Sequence, residues 1–193
     1  DEVVFRVVPE AATRESLLLA GQVDLIILPP ISDLPALQQN PDVKVLLAPS
    51  DRTIFISINN THEPLNDVRV RQALNYAVDK QAIIENLLYG LAEETVAMLT
   101  PADLGYNPNV NPYPYDPQKA RQLLADAGYA DGFEITIDTV SGRYINDKEV
   151  AQAIAGFLGE IGVTVHVNVL EFGAFNGALF THTTSPMYLV GWG

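Results

Sequence analysis

The chain has 193 residues, 11 Lys and Arg against 24 Asp and Glu for a formal charge of −13, 48% apolar residues and no cysteine. The missing cysteine removes thiol catalysis, Cys-ligated zinc, iron–sulfur clusters and disulfides together. The acidity, with a pI near 4.4, excludes a general nucleic-acid binder and disfavours acidic membrane surfaces, both of which call for clustered Lys and Arg.

No apolar run reaches the ~18–20 residues of a bilayer span, and Asp1-Glu2-Val3-Val4 lacks the basic-then-apolar pattern of a targeting leader. Length allows one compact domain. Mean hydropathy of +0.11 is nevertheless high for so acidic a chain, and the stretch from Met187 to the end reads as a strand that breaks off. A piece of something larger is therefore expected.

The first fifty residues alternate short apolar runs with short helical patterns. Strands are predicted at 3–8, 23–28 and 43–47. A helix after Pro9-Glu10 is closed by Gly21, and a weaker helix is predicted at 33–39. This β-α-β-α-β order predicts a mixed or parallel sheet. Residues 54–59 alternate Ile54, Ile56 and Ile58 with Phe55, Ser57 and Asn59, the period of a strand. Asp67 is positioned to cap a helix with the stripe Val70, Ala73, Leu74, Ala77 and Val78. Asp79 is positioned to cap a second helix, which ends at Gly90.

Residues 91–115 are aperiodic and carry Pro101, Pro108, Pro112 and Pro114, which forbids regular structure over much of the stretch. Asp116-Pro117 then reads as N-cap plus first-turn proline of a helix ending at Gly128. A strand follows at 133–139. Asn146 and Glu149 have the spacing of a capping box that opens a helix ending at Gly162. Val163, Val165, Val167 and Val169 share a strand face, residues 171–180 suit a short helix, and 187–190 form the last strand.

Motifs for chemistry are sparse. His62, His166 and His182 have no metal-ligand spacing, and no nucleophile elbow, phosphate loop or dinucleotide fingerprint is present. Nothing calls for a cofactor or a metal. Asp24, Glu93, Glu94, Asp131, Asp138 and Glu171 are scattered; each could serve as a site carboxylate, but paired acid–base work needs two at a defined separation, and solvated charge or helix capping is the plain explanation of each. The Asn59-Asn60-Thr61 sequon is formal only.

Three places carry more. Ser141-Gly142-Arg143-Tyr144 lies between a strand and a helix start, where an anion would meet a guanidinium and backbone N–H groups together; a solvent-exposed turn explains the same residues. Tyr188, Gly191 and Trp192 end a strand at the edge where open α/β sheets place their clefts, though aromatic packing also accounts for them. The polar end of the 54–60 strand, at Asn59, is the third, with a local turn as its plain explanation.

Taken as an ordered series, several blocks resemble the family 5 extracellular solute-binding proteins, the dipeptide-, oligopeptide- and nickel-binding receptors of bacterial ABC importers. They are Gly21-Gln22-Val23-Asp24, Ile58-Asn59-Asn60, the run from Pro64 to Lys80 centred on Val70-Arg71-Gln72-Ala73-Leu74, Tyr115-Asp116-Pro117 with Lys119-Ala120 and Ala127-Gly128-Tyr129, Ile161-Gly162-Val163, and Gly191-Trp192. The resemblance covers essentially the whole chain.

It implies an α/β fold, a periplasmic-binding-protein-like lobe with a mixed sheet flanked by helices. Residues 1–51 would be the C-terminal part of the first lobe, 52–60 a hinge strand, and 61–193 the second lobe, truncated at its C-terminal strand. It implies that Arg143 holds a ligand carboxylate, with Tyr144, Ser141, Gly191, Trp192 and Asn59 around the ligand and Trp192 as an apolar wall. The implied partners are a small peptide or related solute and, for the full-length protein, a membrane permease. The implied protein is a monomer, periplasmic or extracellular, with lipid anchoring at the membrane left open. A nickel chelate, a sugar or another organic anion are alternative ligands. From another class stands a small α/β hydrolase with Ser141 as nucleophile and His166 or His182 as base.

Overall fold

The computed structural model describes residues 2–48, 50–101 and 103–193, in two compact units, Asp1–Pro49 and Ser50–Gly193.

The first unit contains α1 (Ala11–Leu19), a single 3-10 turn (Ile31–Asp33) and α2 (Leu34–Gln39). Gly21, at φ +65°, ends α1 as predicted. Its N–H and that of Gln22 turn back onto the carbonyls of Leu18 and Leu17, at 2.9 Å each, satisfying carbonyls a helix end leaves open.

The strands predicted at 3–8, 23–28 and 43–47 do not form: the described residues of this unit contain no strand. Phe5 is 92% exposed and Leu25 75%. β-Branched composition favours a strand only where a ladder partner and a half-buried face are present, and these segments have neither. The first two are tied instead by Arg14. Its guanidinium donates to the carbonyls of Val8 (2.8 Å), Pro9 (2.6 Å), Ile27 (3.1 Å) and Leu28 (2.6 Å), tying the segments on either side of α1 together.

The second unit runs β1 (Thr53–Ile58), α3 (Val68–Ala77), α4 (Lys80–Leu87), α5 (Pro117–Asp126), β2 (Phe133–Val140), α6 (Asp147–Glu160), β3 (Val163–Leu170), α7 (Phe172–Thr181) and β4 (Met187–Trp192). The sheet order is β1-β4-β2-β3, with β1 antiparallel to β4 and β4, β2 and β3 mutually parallel. The mixed sheet flanked by helices agrees with the expected fold class. Residues 53–58, within the expected hinge strand, are paired to β4 along their full length.

Three N-caps behave as their residue types require. Asp67, Asp79 and Asp116 accept the N–H groups of Arg69, Ala82 and Lys119 at 2.7–2.9 Å. The buried stripe of α3 (Val70, Ala73, Leu74, Ala77) meets Ala120 and Leu124 of α5, Leu158 and Ile161 at the end of α6, and Ile135, Ile137, Val163 and Met187 of the sheet in one core. Alternation along β4 turns Tyr188 to the opposite face from Met187. There its ring packs edge-on against Phe175 of α7, at 6.2 Å between centroids, so the sheet is covered on both sides.

The proline-rich stretch before α5 is irregular, as predicted, and is tethered. Asp116 N–H donates to the Tyr76 carbonyl at 2.8 Å, Lys80 Nζ donates to the Tyr113 carbonyl at 3.0 Å, and Tyr113 stands edge-on to Tyr76 at 5.1 Å.

The capping box at Asn146 and Glu149 is not made. Asn146 sits at φ +50°, a left-handed conformation with no side-chain cap, and its amide donates instead to the Leu87 carbonyl at 2.7 Å. Asn tolerates this conformation better than most residues because of its short polar side chain, and the neighbouring Asp147 takes over the polar work.

Candidate functional site

Parallel pairing fixes which residues share the C-terminal edge of the sheet. The register Asp138↔Tyr188 brings the 141–144 loop, after β2, beside Gly191 and Trp192 at the end of β4. The register Val140↔Leu170 brings Phe172, just beyond β3, to the same edge.

Arg143 is exposed, and its guanidinium lies 4.9 Å from the ring centroid of Phe172 and 5.7 Å from that of Tyr144. Both are cation–π distances, each contributing ~0.5–1 kcal/mol at an exposed site. Among the described residues no ion pair involves this guanidinium, so its planar fork of donors stays available for a carboxylate. Tyr144 donates its hydroxyl to the Gly191 carbonyl at 3.4 Å. Phe172, 41% exposed, and Trp192, 68% exposed, leave apolar surface open at this edge. Ser141 lies in the same loop and is exposed.

The backbone N–H groups of this loop are not open to an anion, contrary to the sequence expectation. Those of Gly142, Arg143 and Tyr144 all donate to the Asp147 carboxylate, at 3.1, 2.9 and 2.9 Å. Asp147 is 3% exposed, and these N–H groups give its buried carboxylate the hydrogen bonds that burial denies it from water. An incoming anion at this loop therefore finds these three N–H groups already taken and the Arg143 guanidinium open.

Asn59 does not join the group. It follows β1, which is antiparallel to β4, and its N–H donates to the Pro186 carbonyl at 2.8 Å, before β4 begins. Trp192 lies five residues further along β4 than Met187, roughly 17 Å away at the rise of a strand. The Asn59 side chain accepts from the N–H and hydroxyl of Thr61 at 3.1 and 2.7 Å, so the local-turn explanation holds.

The other polar candidates are accounted for locally. Asp138 is buried, bonded to Asn168 and Ser185. Glu94 pairs with Lys80 at 3.0 Å. Glu171 caps α7 at Ala174, 3.1 Å; bonds from the backbone N–H groups of Gly173, Ala174 and Phe172 hold its carboxyl below the usual range. Asp24, Glu93 and Asp131 are exposed.

Neither histidine of the hydrolase alternative is near Ser141. His166 stands opposite Thr136, well back along the parallel ladder, and faces Glu134 at 3.3 Å. His182 closes the far end of α7. No cluster of three metal-ligating side chains exists among the described residues.

A hollow of about 310 Å³ lies elsewhere, lined by Glu63, Asn66, Asp67, Ala127 and Tyr129. It is open and polar, and the Asp67–Arg69 ion pair at 2.6 Å lies beside it, which suits a solvated helix cap rather than an enclosed ligand.

Two residues of this edge were not singled out from the sequence. Phe172 was legible in principle, since a residue opening the helix after a parallel strand must emerge at the same edge. Asp147 carried only the hint of an acid in a first helical turn.

The second unit is thus a mixed α/β fold with an arginine that makes no ion pair among the described residues, beside exposed aromatics at the C-terminal sheet edge. The chain belongs to the bacterial extracellular solute-binding proteins, family 5, its match to the middle part of that family running over residues 1–193. It is 39% identical to heme-binding protein A of Haemophilus influenzae over 175 residues, 89% of this chain and 32% of the relative. It is 35% identical to a dipeptide-binding protein of Pseudomonas aeruginosa over 178 residues, 91% of this chain and 33% of that one. Among solved structures, the periplasmic binding protein DppA of Helicobacter pylori in complex with the peptide STSA is 30% identical, with a TM-score of 0.83 over 97% of this chain and 36% of that one. The chain thus spans about a third of the length of these relatives. No helix among the described residues is long and apolar enough to cross a membrane.

Proposed function

We propose that this chain is the hinge-proximal and second-lobe part of a solute receptor for a bacterial ABC importer, and that Arg143 holds the carboxylate of a small peptide. The observation that carries this reading is a guanidinium fork with no ion-pair partner among the described residues, over the Phe172 ring at 4.9 Å. A two-oxygen anion fits such a fork through parallel N–H bonds. The family membership and the likeness to peptide receptors support the same reading.

In this reading residues 1–51 belong to the first lobe, 52–60 to the hinge and 61–193 to the second lobe. Ser141, Tyr144, Gly191 and Trp192 line the ligand with Arg143, and Asn59 has no part. The ligand bridges two lobes and stabilises their closed arrangement, since only differential contact with the closed state can drive closure. The receptor acts outside the cytoplasm, delivers its solute to a membrane permease, and carries out no reaction.

The test is Arg143→Ala in the full-length receptor. A loss of ~2 kcal/mol or more in affinity for a free-acid dipeptide is expected for a charge-assisted pair; unchanged affinity overturns the assignment. The 39% identity to the heme-binding relative favours one second reading, a larger organic dianion gripped by the same fork. Competition between the dipeptide and hemin for one protein distinguishes the two.

A further inference from the structure

We propose that Asp147 is a positioning residue that aims Arg143, and that its carboxylate fills the loop's own anion cradle so that ligand charge is read by the guanidinium alone; this rests on the reading of Arg143 given above. Asp147 is 3% exposed and has no cationic partner among the described residues. Its charge is met by four backbone N–H groups. Oδ1 accepts from Gly142 at 3.1 Å and Lys148 at 2.9 Å, and Oδ2 accepts from Arg143 and Tyr144 at 2.9 Å each.

Convergence of consecutive N–H groups on one point makes an anion-binding concavity. The chain reaches it through Gly142 at φ +82° and Asn146 at φ +50°, with Asn146 held to the Leu87 carbonyl at 2.7 Å. Such a concavity left open would bind phosphate, sulfate or any carboxylate through the main chain. Occupied from within, it offers a ligand nothing.

The second consequence concerns aim. Arg143 N–H and the N–H of the following residue are clamped by the same oxygen, which fixes the direction in which the Arg143 side chain leaves the loop. From there the guanidinium needs only its own torsions to reach Phe172. Loss of the carboxylate would free the loop, and a guanidinium that is no longer aimed discriminates less between a charged carboxylate and a neutral amide.

Calorimetry on the full-length protein with a free-acid dipeptide and its C-terminal amide tests this. Wild type is expected to prefer the acid by ~10-fold or more. Asp147→Asn is expected to lose most of that preference while its affinity for the amide stays within about two-fold of wild type, since groups remote from the loop are untouched. A merely structural role would lower both affinities alike. A folded Asp147→Asn variant that keeps the full preference overturns the positioning role and leaves the reading of Arg143 intact. An Arg143→Ala variant that keeps the preference overturns both. Should Asp147→Asn fail to fold, Asp147→Ser, which retains a hydroxyl acceptor, is measured in the same way. If neither folds, Asp147 is an anchor of the whole lobe and the proposal falls.

Discussion

The ring of Tyr144 lies against the main chain of Gly191. A Cβ placed on that glycine would stand 2.6 Å from Tyr144 Cε1 and 2.6 Å from Ile54 Cδ1, closer than packed atoms tolerate. The Gly-Trp pair at the end of β4 thus has a steric reason: a missing side chain lets the 141–144 loop settle onto the strand. Ile54 can swing its terminal methyl aside, whereas Tyr144 is held by its own N–H on Asp147 and its hydroxyl on Gly191. Gly191→Ala is expected to cost ~1–3 kcal/mol in urea unfolding, the usual range for overpacking, and to weaken ligand binding by displacing Tyr144 beside Arg143.

Asp138 anchors the turn before β4. Its carboxylate, 3% exposed, accepts from Ser185 N–H at 2.6 Å, Ser185 Oγ at 2.8 Å and Asn168 Nδ2 at 2.9 Å. The next residue, Pro186, accepts the Asn59 N–H, so the anchor reaches the end of β1. Asp138→Ala leaves these donors without their acceptor and is expected to destabilise the second unit by ~2–3 kcal/mol. Ser185→Ala, which loses only the hydroxyl bond, should cost ~1 kcal/mol. Equal costs in urea unfolding would contradict this ranking.

The helices and strands of the second unit were legible because its signals are local and agree with one another. Asp67, Asp79 and Asp116 cap where their side chains reach an N–H, and the valines of β3 alternate against a parallel neighbour that the same chain supplies. In the first unit the apolar runs carry strand composition, but pairing is a tertiary property, and Arg14 bonded to four carbonyls leaves no periodic trace. Asn59 lies apart from the group for a related reason: antiparallel pairing of β1 with β4 sends it to the opposite edge, and direction is not written in alternation. Asn146 and Asp147 are adjacent polar residues that exchange the roles expected of them. Which of the two caps and which turns back into the loop depends on a left-handed φ that sequence spacing does not specify.

Asp67 gives the protein an acid-sensitive helix start. Side-chain and backbone hydrogen bonds from Arg69 lower its pKa from 3.8 to about 2. A depressed carboxyl pKa stabilises the fold in full above the unfolded value and loses that contribution as pH falls through the folded one. Wild-type Tm should therefore fall between pH 4 and pH 2 in part because of Asp67. Asp67→Asn, an equally good cap that does not titrate in this range, should show a shallower decline over that window and a lower Tm at pH 7, where the Arg69 ion pair is lost. Parallel Tm profiles for the two proteins would show that the group carries no linkage.

Arg14 is the test of how the first unit holds together without strands. Its guanidinium bridges the carbonyls of Val8 and Pro9 to those of Ile27 and Leu28, across α1. Replacement by Met keeps the aliphatic stem and removes the donors, leaving the carbonyls to water. Because water replaces the lost partners, the expected cost is modest, ~1–2 kcal/mol. It should act locally, raising the rate of protease cleavage within residues 3–10 and 23–30 by roughly ten-fold while the second unit keeps its resistance. Cleavage that rises equally in both units would mean that Arg14 supports the chain as a whole. An unchanged cleavage pattern would mean that the four bonds contribute nothing beyond what water supplies.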